Sequence, residues 1–81
     1  MIGKIVCSLA GSDKGKFSVV VAAEKDRVLI SNGKRYKLSS PKSKNVKHLA
    51  FTDKTLSKTE YLTDKQLRRT LAIFAAKQSK E

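Results

Sequence analysis

Apolar positions recur in short strand-like runs over the first two thirds of the chain and switch to helical spacing near its end. Residues 3–9, GKIVCSL, and 17–23, FSVVVAA, are runs rich in β-branched side chains. They flank the hexapeptide GSDKGK at 11–16, so two antiparallel strands joined by a loop are expected. The charged triplet Glu24-Lys25-Asp26 reads as a turn into a third run, RVLIS at 27–31. Asn32-Gly33 then precedes KRYKL at 34–38. Both central positions of a type I′ turn need positive φ, which Asn and Gly tolerate, so Val28–Ser31 is expected to pair with Lys34–Leu38. The segment SSPKSKN at 39–45 reads as a loop. VKHLAF at 46–51 reads as a fifth strand, with Val46, His48 and Ala50 alternating against Lys47, Leu49 and Phe51. Five short strands with tight turns predict a mainly β fold, a small closed or nearly closed barrel without free edges.

The C-terminal pattern differs. Thr63 and Gln66 fit a capping box, the threonine oxygen accepting from the third helical amide and the glutamine reaching back to the cap, with Leu62 and Leu67 as its hydrophobic staple. Leu67, Leu71, Phe74, Ala75 and Gln78 follow helical spacing on a helix of roughly Asp64 to Gln78, with Ile73 off the stripe. The stripe is expected to cover part of the barrel, the alternative being a partner surface, because so small a barrel gains from added apolar burial. The predicted organisation is a barrel over 1–52, a connector over 53–62 with little core of its own, and a C-terminal helix and tail over 63–81.

Composition narrows the function classes. With 81 residues there is room for one domain. No apolar run reaches membrane-spanning length, and the N-terminal segment has no long apolar core ending in a cleavage-like site, so neither a membrane span nor a signal peptide is expected. The single Cys7 cannot form an internal disulfide, which fits a reducing cytoplasm, and its place in an apolar strand suits a small core filler. One histidine, one cysteine and no apolar-flanked pair of carboxylates leave no candidate catalytic residue, no metal site and no cofactor site. The spacing from Gly11 to Gly15 is not that of a nucleotide loop, since Lys16 runs straight into a strand.

The net charge of +11 changes the picture most. Such a surface usually faces a polyanion, although a lysine-rich composition also serves simply to solvate a surface. Between Arg27 and Thr52 there are seven Lys/Arg and no acid: Arg27, Lys34, Arg35, Lys37, Lys42, Lys44 and Lys47. On a strand over 34–38, Arg35 and Lys37 would share one face, extending a positive surface toward the lysines of the Pro41 loop. Such cations bind phosphates by counterion release, without reading bases. The aromatics Phe17, Tyr36, Phe51, Tyr61 and Phe74 mostly have core roles in this pattern, so shape and backbone recognition of structured RNA is favoured over base stacking.

Read together, IGKIVCSLAGSDKGKFSVVV resembles the KOW motif of ribosomal proteins and transcription elongation factors. RVLISNGKRYKLSSPKSKNVKHL continues the likeness toward archaeal and eukaryotic large-subunit ribosomal proteins with KOW domains and their short bacterial relatives. KNVKHL and Thr52-Asp53-Lys54 are its more distinguishing pieces, and the likeness covers about residues 2–54. A glycine common after the loop's last lysine in the elongation-factor branch is replaced by Phe17-Ser18, which counts against that role. The resemblance implies an SH3-like barrel that binds ribosomal RNA, on the ribosome or in association with it. It points to the loop Gly11, Ser12, Asp13, Lys14, Gly15 and Lys16, and to Lys34, Arg35, Lys42, Lys44, Lys47 and His48; the basic surface adds Lys37. Two other readings stay open: an adaptor that docks a protein partner through the barrel or the C-terminal helix, and nonspecific DNA binding.

Overall fold

Successive residues of the two central strands are buried on opposite faces, so the sheet is covered on both sides. The computed structural model describes residues 1–78. Its strands are β1 (Lys4–Ser8), β2 (Phe17–Glu24), β3 (Arg27–Ser31), β4 (Lys42–Asn45) and β5 (Leu49–Thr55). All neighbours pair antiparallel in one sheet of order β4-β3-β2-β1-β5. Helix α1 (Asp64–Gln78) follows, so the fold is mainly β with a C-terminal helix, as expected.

Ile5 lies opposite Val19, and both pack with Leu56, Tyr61, Leu67 and Leu71 on the helix side. Val6 and Val20, one position along each strand, point the other way and meet Val28, Ile30 and Leu49. Period-2 alternation with both faces apolar is why β1 and β2 read as continuous runs rather than as polar-apolar alternation. Register shifts between Lys4 and Val6 in β1–β5, and between Val20 and Ala22 in β2–β3, mark bulges that bend the sheet. Thr52 Oγ1 donates to Ile5 O (2.7 Å) beside the first of them.

No ladder joins the edge strands β4 and β5 among the described residues. A 3-10 turn, Val46–His48, crosses between them, with Asn45 Oδ1 accepting the Lys47 N–H (2.9 Å). Leu9 N–H donates to His48 O (2.9 Å), tying the end of β1 to that turn. This strand order, with a 3-10 turn linking the edges, is consistent with the SH3-like arrangement that the resemblance implies.

Four local expectations are corrected. Residues 34–38 are not a strand, and β3 pairs instead with β4, which runs through the segment read as a loop. The reason lies at Asn32, whose Oδ1 accepts the N–H groups of Lys34 (2.9 Å) and Tyr36 (3.0 Å), while Tyr36 O accepts those of Asn32 and Gly33. That network folds 32–36 into a compact loop, and φ is positive at Gly33 but not at Asn32. The fifth strand begins later than expected, because Val46–His48 is the 3-10 turn, and continues to Thr55. The connector is not poor in core: Leu56 and Tyr61 are both buried. Finally, α1 spans the predicted residues and Gln66 N–H donates to Thr63 Oγ1 (3.1 Å), but Gln66 Oε1 accepts from Leu62 N–H (2.9 Å), one residue before the cap. Leu62 is 62 % exposed, so Tyr61 rather than Leu62 packs into the cluster with Leu67.

The stripe covers the sheet as expected. Leu67 and Leu71 are buried, and Phe74 meets Phe17 edge-on with centroids 5.1 Å apart, while Ile73 is 52 % exposed. Burying two leucines in this way is worth about 3–6 kcal/mol in transfer terms. Thr70 Oγ1 donates to Glu60 O (2.9 Å), fixing the helix to the connector's short 3-10 turn, Lys58–Glu60. The end of the predicted tail, 79–81, lies outside the described residues.

Candidate nucleic-acid interface

The hexapeptide between β1 and β2 is held from inside by its one acid. Asp13 is buried, and its Oδ1 lies 3.1 Å from Ser8 Oγ and 3.3 Å from Lys44 Nζ. Lys44 reaches across from β4 and also donates to Ser8 Oγ (3.1 Å) and Ala10 O (3.5 Å). Backbone bonds complete the loop: Lys14 N–H to Gly11 O, Lys16 N–H to Asp13 O and Gly15 N–H to Ser8 O. Gly11 and Gly15 adopt φ of 87° and 84°, the left-handed region the loop requires.

Burial pushes the Asp13 carboxyl up. The hydrogen bonds from Ser8, from its own backbone and from Lys44, together with the Lys44 charge, outweigh that and hold it below the ordinary carboxylate value. A carboxylate so placed organises the loop rather than facing a ligand. Its partner Lys44 is likewise committed inward, and Asp13–Lys44 is the one ion pair among the described residues.

A second loop meets the first. Arg35 Nη1 donates to Ser12 Oγ (2.9 Å) and its guanidinium stands 6.0 Å from the Tyr36 ring centroid. Tyr36 itself packs against the inner cluster. The structure therefore brings Ser12, Asp13, Arg35 and Lys44 into contact, with Lys14 and Lys16 exposed on the same loop and Lys34 and Lys37 exposed on the neighbouring one. Lys42 opens β4 opposite Ile30, also exposed. Lys47 and His48 are exposed in the 3-10 turn Val46–His48, outside the two loops.

Exposed cations without an ion pair, carried on loops whose backbone is already hydrogen-bonded, suit phosphate neutralisation by counterion release. No group of three or more His, Cys, Asp or Glu side chains among the described residues could hold a metal ion. No helix among them is long and apolar enough to cross a membrane.

One contributor escaped the sequence pattern. Arg68 of α1 donates Nη1 to Gly33 O (2.7 Å), placing a helix cation beside the second loop. Its only trace in the sequence is its position one helical turn after Asp64, whose Oδ1 accepts the Leu38 N–H (2.8 Å) from that same loop. No family model matches the chain, and no curated protein matches it.

Proposed function

We propose that this chain is an RNA-binding module of the KOW type, with no catalytic role, that associates with the ribosome in the cytoplasm and holds structured ribosomal RNA by its phosphate backbone. The observation that carries this reading is the meeting of two basic loops, Gly11–Lys16 and Lys34–Lys37, through Ser12 and Arg35 on a chain of net charge +11. The resemblance of residues 2–54 to KOW-domain ribosomal proteins supports the choice of RNA over another polyanion. Of the five aromatics Phe17, Tyr36, Tyr61 and Phe74 are buried or half-buried and Phe51 alone is exposed, which leaves little surface for base stacking and favours shape and backbone contacts.

The test is equilibrium binding of purified ribosomal RNA over a range of salt, with duplex DNA as competitor at equal salt. Salt-sensitive binding that DNA displaces poorly supports the reading. Equal displacement by DNA would make the chain a nonspecific DNA binder, and absence of binding at low salt would remove the reading.

A protein adaptor is the second reading, favoured by one observation: Phe51 and Ile73 are 38 % and 52 % exposed, on β5 and α1, two elements that meet around Lys54 and Phe74. In that case partner capture would survive charge reversal of the loop lysines.

A further inference from the structure

The C-terminal helix faces the two basic loops across a groove of about 300 Å³ whose lining joins three cations to the apolar Phe17, Leu71, Ala72 and Ala75. Lys16 comes from the first loop, Lys34 from the second and Arg68 from α1, and no acidic side chain lines it. Asp64, the nearest acid on the helix, turns its carboxylate to the Leu38 N–H. Arg68 spends one donor on Gly33 O, which fixes the guanidinium at the rim and leaves further N–H groups of its five. The helix contributes Arg68, Leu71, Ala72 and Ala75, and its two alanines keep that part of the wall short. On the opposite wall, the space above Gly15 is open: a Cβ there would meet no atom within 4 Å.

The geometry points to a phosphodiester seat: the sugar–phosphate backbone of one RNA strand runs through this groove, with Lys16, Lys34 and Arg68 on its phosphates, making α1 part of the binding surface. This rests on the RNA-binding function proposed above. It also gives the helix a second duty beside covering the core. Leu67 and Leu71 are buried in the core cluster, with Leu71 also reaching the groove, while Arg68 and Ala72, one position further on, line the groove.

Ala72 permits a test that breaks no hydrogen bond and keeps good helix formers on the helix. The full chain carrying Ala72→Glu and the full chain carrying Ala72→Lys are compared for binding to purified ribosomal RNA, with Ala23→Glu and Ala23→Lys as charge controls. Ala23 is exposed on β2, six residues beyond Phe17 and away from the groove. Ala72→Glu should weaken binding about fivefold or more, and Ala72→Lys should leave it unchanged or tighten it, with a difference between them well above that of the Ala23 pair. In Arg68→Gln, the slope of log K against log salt should fall by about 1. Equal effects of Glu and Lys at position 72, or a difference no larger than at position 23, would overturn the groove while leaving RNA binding by the loops intact. If the unmodified chain showed no salt-sensitive RNA binding, both the function and the groove would fall together.

Discussion

Lys44 Nζ stands 3.3 Å from Asp13 Oδ1, so a lysine that resembles a phosphate contact in the sequence is instead the inner brace of the loop. Both side chains are largely buried, at 14 % and 8 % exposure. Removing one partner of such a pair leaves the other charge uncompensated. Lys44→Ala should therefore cost about 3 kcal/mol in urea unfolding, and Asp13→Asn, which keeps an acceptor for Ser8, should cost less.

The same carboxylate sets an acid limit. Its pKa is held below the ordinary value of about 3.9, so its contribution to stability is fully present above that value and is lost as pH falls through the lower folded-state pKa. Unfolding free energy measured from pH 6 to pH 2 should fall less steeply below about pH 4 in Asp13→Asn than in the unmodified chain. Identical acid limbs would show that Asp13 does not carry the effect.

Gly33 of the second loop lies close against the helix. Its φ is 77°, and a Cβ would stand 2.5 Å from Asp64 O and 3.0 Å from Arg68 Cγ. Gly33→Ala combines backbone strain with that clash and should lower stability by at least about 2 kcal/mol. A thermal midpoint within a degree or two of the unmodified chain would contradict this packing.

The helix stripe predicts an asymmetry between neighbours. Leu67→Ala empties a fully buried site and should cost about 2–5 kcal/mol, whereas Ile73→Ser, on the exposed side, should stay within about 0.5 kcal/mol. Denaturant midpoints of the two variants check this directly.

Much of the frame was legible because periodicity reports burial. Ile5 and Val6, or Val19 and Val20, are adjacent apolar residues that only a sheet covered on both faces can use, and Leu67 with Leu71 marks the covering stripe. Asn32-Gly33 signals a hairpin that does not form because a side chain decides the backbone: Asn32 Oδ1 takes two amides that a type I′ hairpin would spend otherwise. β4 was hidden because Lys42, Ser43, Lys44 and Asn45 have no apolar alternation, and their pairing with β3 comes from the edge of an existing sheet. At the candidate interface the cations were visible from composition, but which ones face inward was not. Lys44 and Lys42 look alike along the chain, and only the position of Asp13 in space separates the brace from the free charge.

That separation decides which residues to reverse. Lys14, Lys34, Lys37 and Lys42 are exposed and carry no ion pair, so their combined replacement by glutamate should abolish ribosomal RNA binding at moderate salt while the fold persists. Lys44→Glu should lose both folding and binding, as judged by circular dichroism beside the binding assay.

The central claim is tested most directly by titrating the isotope-labelled chain with fragments of ribosomal RNA and following its backbone amide resonances. Salt-sensitive shifts concentrated at Gly11–Lys16 and Lys34–Lys37 are expected, with the amides of β5 around Phe51 unmoved. Shifts centred on Phe51 instead, or none at low salt, would contradict this.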